Sequence, residues 1–224
     1  MNKEIFKNRE DIFKVAGQNE SWLILQEDGS TRQKNFDDWY EQVSEIGLVT
    51  CVPSRIRFYF DTTKNALLYS WFSYEMMPMV ELFSYTLVEK SLRMIYECEE
   101  CPGVSFAMLL KRAIEDERLN DSGFHVPKNT VIEKMSLEND ELIIERFLRT
   151  HEELELSQKY IKPICELLPK VRNKLAHGNG GLHPAAWLTL KINSEIINML
   201  FSQVCKISDE KMESEQTQSI ANGD

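Results

Sequence analysis

The distribution of apolar positions predicts a mainly α-helical chain, in which the longest apolar run, residues 65–97, forms a buried central helix. Apolar residues occur on every side of this run, whereas a surface helix would keep them on one face. Glu75 and Glu81 interrupt its most apolar part. Because acidic side chains are costly at the middle of a bilayer, they disfavour the competing interpretation of a transmembrane span. Pro78 predicts either a kink or a break between two helices.

The first sixty residues combine two kinds of pattern. Residues 21–26 and 55–60 are short apolar and aromatic stretches, which predict strands. Residues 36–47 begin with an acidic turn and end in glycine, which predicts a helix. We therefore expect a small α+β appendage at the N-terminus.

Periodicity and turn residues divide the remainder into helices and connections. The predicted segments are an amphipathic helix at 103–117, a polar connection at 118–140, a helix from about 140 to 160, a helix that begins near Pro163 and is bent or restarted at Pro169, and a long final helix at 184–207. Residues 208–224 have almost no apolar side chains and are predicted to be disordered. The predicted parts are the α+β region at 1–62, a helical domain at 63–207 and the tail at 208–224.

Composition fits a water-soluble protein. Of the 224 residues, 42% are apolar and 28% are charged, with few glycines and prolines, which indicates a helix-rich globular chain and excludes a wholly disordered one. The first residues lack the apolar stretch of a signal peptide, and the five cysteines are odd in number and scattered. We therefore expect a cytoplasmic protein that does not enter a membrane.

Charge is distributed unevenly along the chain. The net charge of -10 argues against a protein that coats nucleic acid. The stretch 157–191 is different, because it contains a single acid, Glu166, and six cations, namely Lys159, Lys162, Lys170, Arg172, Lys174 and Lys191. A basic segment in an acidic protein is typical of a localised phosphate-binding site.

The segment 171–180, "VRNKLAHGNG", lies within this basic stretch. Asn173 and His177 are four residues apart and share one helix face, while Arg172 is about 140° around the helix from His177. Gly178 predicts the helix end, so His177 falls in the last turn. Arginine binds phosphate, histidine exchanges protons near neutrality, and Asn173 can orient either group. The alternative is structural, since basic residues at a helix C-terminus interact favourably with its dipole.

The sequence "RNKLAHG", between a hydrophobic helix and a long final helix, resembles the Arg-Asn-to-His signature of the HEPN superfamily. Four residues separate Arg172 from His177, within the four to six of that family, and the likeness extends over about residues 65–207. It implies a helical bundle that forms a homodimer, with two motif copies facing one cleft, and often a metal-independent endoribonuclease without a cofactor. Many members belong to toxin–antitoxin or anti-phage systems, in which a partner restrains the nuclease.

Two variants of the family bear on the expected function. Some members carry a modified tyrosine two positions after the histidine, where this chain has Asn179, so that type is not supported. Others keep the fold without cleaving RNA. The leading hypothesis is therefore a ribonuclease in which Arg172, Asn173 and His177 are catalytic, and the alternative is a non-catalytic module that binds a nucleotide, RNA or protein.

Residues outside the motif provide weaker candidates. Lys170 and Lys174 flank it and are expected to contact RNA phosphates. Glu81, Tyr85, Glu89 and Arg93 recur every four residues and can form a polar strip that faces the cleft, in which Glu81 is a candidate site residue. The alternative is an exposed edge with Glu89 and Arg93 as a helix-stabilising pair.

Two further groups have competing interpretations. The aromatic residues Tyr69, Trp71, Phe72 and Tyr74 can stack on bases or pack in the core. Cys98 and Cys101 form a CxxC pair, for which a structural or redox role competes with ordinary thiols. A zinc site needs about four ligands, and no second pair has suitable spacing, so no metal site is predicted.

Overall fold

The structure, a computed structural model, is mainly α-helical, as the sequence predicts. It describes residues 7–26, 28–98, 101–120, 132–138, 141–147, 161–178 and 186–202. The strands are β1 (Leu23–Leu25), β2 (Thr31–Gln33), β3 (Ile132–Glu138) and β4 (Glu141–Phe147). The helices are α1 (Phe36–Ser44), α2 (Ser54–Tyr69), α3 (Met77–Ile95), α4 (Phe106–Glu115), α5 (Ile161–Ala176) and α6 (186–202).

Helix α3 lies at the centre of the fold. It packs against α2, α4 and α5, and the Asn193 side chain of α6 donates a hydrogen bond to Ser84 Oγ on α3 at 2.8 Å. Buried side chains occur on more than one face of α3. They are Met77, Val80, Glu81, Ser84, Tyr85, Leu87, Val88, Ser91 and Leu92. This arrangement confirms the prediction of a central helix that is buried on several sides.

The long apolar run is two helices and not one. Helix α2 ends at Tyr69, a short irregular segment follows, and α3 begins at Met77 with Pro78 in its first turn. Proline is favoured there because its missing N–H would have no intrahelical partner. Of the two predictions for Pro78, the break is therefore confirmed. Among the described helices, none is long and apolar enough to cross a membrane.

The predicted strand at 55–60 is wrong, because these residues form the beginning of α2. The helix starts directly after Pro53, and its buried residues Ile56, Phe60, Thr63 and Leu67 follow a spacing of three or four. The aromatic content suggested a strand, but burial follows the helical period, and Phe58 is 67% exposed.

A β-hairpin occupies part of the region predicted as a polar connection and a helix. Strands β3 and β4 pair antiparallel from Ile132↔Phe147 to Glu138↔Glu141, so two residues, Asn and Asp in the sequence, connect them. Such residues favour tight turns, and the β-branched Ile143 and Ile144 favour a strand. The predictions for 118–140 and 140–160 are thus wrong over 132–138 and 141–147, and their parts at 121–131, 139–140 and 148–160 lie outside the described residues.

The N-terminal elements match the sequence in part. Strand β1 lies inside the predicted 21–26, and α1 inside the predicted 36–47. Asn35 caps α1, since its Oδ1 accepts from Asp38 N at 2.9 Å while Asp38 Oδ2 accepts from Asn35 N at 2.9 Å. In the same way, Ser105 caps α4 at the start of the predicted 103–117 helix.

One hydrophobic core joins the N-terminal region to the helices. Trp39 of α1 is fully buried, donates its Nε1–H to Leu67 O of α2 at 3.2 Å and stacks on Trp71. Asn19 is also buried, and its Nδ2 donates to Ser70 O at 3.0 Å and Trp71 O at 2.9 Å. The predicted boundary after residue 62 falls within α2, and the predicted tail lies outside the described residues.

Two smaller expectations have mixed outcomes. In the aromatic group, Trp71 and Tyr74 are buried in the core, as the packing interpretation predicts, whereas Tyr69 is 60% exposed. Cys98, Cys101 and Cys165 are free, but Cys51 takes part in a disulfide that the scattered cysteine spacing does not indicate.

Candidate functional site

Helix α5 carries the motif and ends where the sequence predicts. It is one helix from Ile161 to Ala176, so the restart predicted at Pro169 does not occur within these residues. At its end, His177 N donates to Asn173 O at 3.1 Å and Gly178 N donates to Leu175 O at 3.0 Å. Gly178 has a φ of +72°, a left-handed conformation that glycine adopts without strain. The histidine therefore lies in the terminal turn.

Arg172 is directed from α5 toward α3. Its Nη2 donates to Glu89 Oε2 at 2.8 Å, and its Nη1 donates to Asn173 Oδ1 at 3.1 Å. Its Nε is buried without an acceptor among the described residues. The first two motif residues are therefore joined to each other, and the arginine is held by a carboxylate of the central helix.

Glu89 connects two guanidinium groups. Its Oε1 accepts from Arg93 Nη2 at 2.8 Å and from Arg93 Nε at 3.2 Å, while its Oε2 accepts from Arg172. Arg93 also donates to Cys98 O at 3.3 Å and to Val104 O at 3.0 Å. The exposed fractions of the three charged side chains are 13% for Glu89, 22% for Arg93 and 33% for Arg172. Glu89 thus links α3 to α5, and Arg93 links both to the connection before α4.

The polar strip on α3 is interior. The predicted Glu89–Arg93 pair is present, but the exposed edge predicted around it is wrong, because Glu81 is 4% and Tyr85 is 6% exposed. Glu81 Oε1 accepts from Thr189 Oγ1 of α6 at 3.3 Å. Burial, and secondly the charge of Glu81, raise the pKa of the Tyr85 hydroxyl. Glu81 is eight residues before Glu89, about 12 Å along the helix, so the structure does not bring it to the motif.

The remaining motif residues form one exposed face of α5, which we call the motif face: Lys170, Asn173, Lys174 and His177. Their spacing of three and four residues aligns them on one side of the helix. Lys170, Asn173 and His177 are exposed and Lys174 is half-buried. Arg172 lies at the edge of this face, through its hydrogen bond to Asn173. The structure therefore places an amide, two lysines and a terminal histidine on one helix face, whereas Arg172 is directed toward α3 and is joined to this face only through Asn173.

Glu89, which the sequence places either in a polar strip on α3 or in a local pair with Arg93, is the residue whose role at the site the sequence does not reveal. The spacing to Arg93 reveals that pair, but the contact to Arg172 joins residues 83 positions apart, for which a single sequence contains no signal. Among the residues that the structure describes, no group of three or more His, Cys, Asp or Glu side chains is placed to hold a metal ion.

Comparison with known proteins yields no match, since no family model, curated protein or solved structure is significantly similar to the chain.

Proposed function

We propose that this chain is a metal-independent endoribonuclease of the HEPN type, with Arg172, Asn173 and His177 as its catalytic residues. The observation that supports it best is the hydrogen bond between Arg172 and Asn173, one turn before an exposed histidine in the last turn of α5. Arginine, amide and imidazole are the groups that phosphodiester cleavage without a metal requires.

The local charge fits an anionic substrate. Glu89, Arg93 and Arg172 together carry one net positive charge, and Lys170 and Lys174 add two more on the motif face. A phosphate can approach this face from solvent, and Arg172 reaches its non-bridging oxygens by exchanging the hydrogen bond to Asn173 for one to the phosphate. The lysines supply affinity that depends on salt and not on sequence.

The proposed reaction is an attack of the ribose 2′-oxygen on the adjacent phosphorus. His177 takes the 2′-hydroxyl proton or protonates the departing 5′-oxygen, and Asn173 orients Arg172. The products are a 2′,3′-cyclic phosphate and a 5′-hydroxyl. Because one imidazole cannot serve as base and acid in the same event, a homodimer with two motif copies at one cleft supplies both groups. We further propose a cytoplasmic toxin–antitoxin or anti-phage role in which an antitoxin or regulatory protein covers the motif face.

The test is cleavage of single-stranded RNA in the presence of EDTA. We expect the wild type to produce cyclic phosphate ends, and His177→Ala to be slower by about 100-fold or more, the usual contribution of a general acid or base. His177 is exposed, so this substitution leaves the fold intact. Arg172→Ala should be similarly impaired, with Arg172→Lys as the variant that retains the charge. Lys111→Ala, an exposed cation on α4, is the matched control and should cleave normally.

Equal cleavage by the wild type and both alanine variants, or cleavage only after a metal is added, would contradict the proposal.

A second candidate function is a non-catalytic RNA- or nucleotide-binding module, or one that binds a protein. The engagement of Arg172 by Glu89 and Asn173 favours it, since both terminal nitrogens already have acceptors. That module would bind RNA through Lys170 and Lys174 in an anisotropy assay and yield no new RNA ends.

A further inference from the structure

The first turns of α2 carry two exposed aromatic rings. Phe58 is 67% and Tyr59 is 41% exposed, and their ring centroids are 5.5 Å apart at an interplanar angle of 75°. From the neighbouring helix α3, Lys90 Nζ lies over the Tyr59 ring, 4.7 Å from its centroid. This cation–π contact holds Tyr59, which in turn supports Phe58 edge-on. Phe58 is therefore a positioned ring that is open to solvent.

Two cations border these rings, and we call Arg55, Phe58, Tyr59 and Lys90 the aromatic patch. Arg55 shares one face of α2 with both rings, because it precedes them by three and four residues. Among the described residues, no carboxylate forms an ion pair with Arg55 or Lys90. Asp61, the acid of α2, lies about 120° around the helix from Arg55, and its charge acts on Lys64. The patch is thus locally positive on an acidic protein.

The aromatic patch lies at the same level of α3 as the arginine of the motif. Lys90 directly follows Glu89, which accepts from Arg172, so the two residues are about 1.5 Å apart along the helix and about 100° apart around it. Helices α2 and α5 both pack on α3. Since the axes of packed helices are about 8–10 Å apart, the patch and the motif are separated by roughly 20 Å. An extended strand of several nucleotides covers this distance.

We propose that the aromatic patch is a second contact for single-stranded RNA, where a base stacks on Phe58 and the neighbouring phosphates bind Arg55 and Lys90. The choice of RNA rests on the proposed function, because the same strand would continue to the motif face. Stacking and phosphate contacts are the interactions that hold single strands without reading their sequence. An apolar protein surface fits the patch less well, since it would desolvate two cations that lack a counter-charge.

Binding of a probe that cannot be cleaved tests the stacking. The probe is a fluorescein-labelled oligoadenylate of about 15 nucleotides, near the upper end of single-strand site sizes, with 2′-O-methyl groups in place of the attacking hydroxyls. Fluorescence anisotropy measures its Kd for the full-length protein. Phe58→Leu keeps an apolar side chain but removes the ring, so the Kd should rise about fivefold or more, whereas Phe58→Trp should bind at least as tightly as the wild type.

Arginine variants separate charge from stacking. Arg55→Ala should reduce the slope of log affinity against log salt by about 0.7, the share of one phosphate contact in a single strand, whereas Phe58→Leu should leave this slope unchanged. Arg57→Ala is the matched control. Arg57 is also exposed near the start of α2, but it lies about 160° around the helix from Arg55. This control should change neither the affinity nor the slope.

The proposal is overturned if the wild type does not bind the probe, if Phe58→Leu and Arg55→Ala bind it as tightly as the wild type, or if Arg57→Ala loses as much affinity as Arg55→Ala. It is also overturned if Phe58→Leu splits an oligomer in size-exclusion chromatography without weakening the probe, because the patch would then be a protein interface. Failure of the nuclease is scored separately, since unmodified RNA would then show no new ends while binding still depended on Phe58.

Discussion

At the scale of single residues, the site depends on one carboxylate. Glu89 accepts from Arg93 with one oxygen and from Arg172 with the other, and its side chain is only 13% exposed. A poorly solvated ion pair adds little net stability compared with an apolar replacement, but removing one partner leaves charge without compensation. Glu89 therefore matters for stability chiefly because two cations depend on it.

We predict that Glu89→Ala lowers the free energy of unfolding by about 2 kcal/mol, because two partly buried guanidinium groups lose their acceptor. Glu115→Ala is the matched control. Glu115 is also a helical glutamate paired four residues from a cation, Lys111, but its side chain is 61% exposed and the pair distance is 3.7 Å. This control should change stability by less than about 0.5 kcal/mol. Urea denaturation measures both, and equal losses would refute the role assigned to Glu89.

At the scale of elements, α1 shows how hydrogen bonds and an ion pair in the first turn define the start of a helix. Asn35 and Asp38 exchange hydrogen bonds between side chain and backbone, and Arg32 donates to both carboxylate oxygens of Asp38 at 2.5 and 2.6 Å. The contact with Arg32 and the hydrogen bond from the Asn35 backbone hold the pKa of Asp38 below its usual range. The cap is thus strongest while Asp38 is ionised.

This cap predicts a specific pH dependence. A carboxyl group with a lower pKa in the folded state stabilises the protein above its unfolded pKa of about 3.9, and this contribution is lost as the pH falls further. Asp38→Asn should therefore be less stable than the wild type at pH 7, and the difference should shrink below about pH 4. Thermal unfolding across this range measures it. A difference that is constant with pH would show that the charge of Asp38 does not contribute.

The elements also show what the sequence could predict. Helices with a cap or a regular apolar period, such as α1 and α4, are predictable from the sequence, and so is the end of α5 at Gly178. Basic and apolar residues alternate at 55–60, which predicts a strand, but the spacing of the buried positions, which continues to Leu67, is helical. The β3–β4 hairpin is not predicted, although an Asn-Asp pair separates its strands in the sequence. Contacts between elements that are distant in the sequence, such as the one between Glu89 and Arg172, cannot be predicted from local sequence patterns.

At the scale of the whole molecule, the N-terminal region and the helices share their core. Trp39 and Trp71 stack at a centroid distance of 6.3 Å, and Trp22 packs edge-on against both. These indoles lie where β1, α1 and the end of α2 meet. Because α2 also packs directly on α3, loss of the N-terminal elements would expose the apolar surface of the helical part. A shared core of this kind is expected to unfold in one step.

We therefore predict coincident unfolding of the two parts. In a Trp187→Phe variant, fluorescence reports only Trp22, Trp39 and Trp71, the cluster in which the N-terminal elements pack on the end of α2, while far-ultraviolet circular dichroism reports the helices. The two signals should give the same urea midpoint. Trp39→Ala, which removes a fully buried indole, should shift both midpoints by the same amount, with a loss of about 3–5 kcal/mol. Separate midpoints, or a shift in fluorescence alone, would mean that residues 1–62 fold independently and that the core is divided.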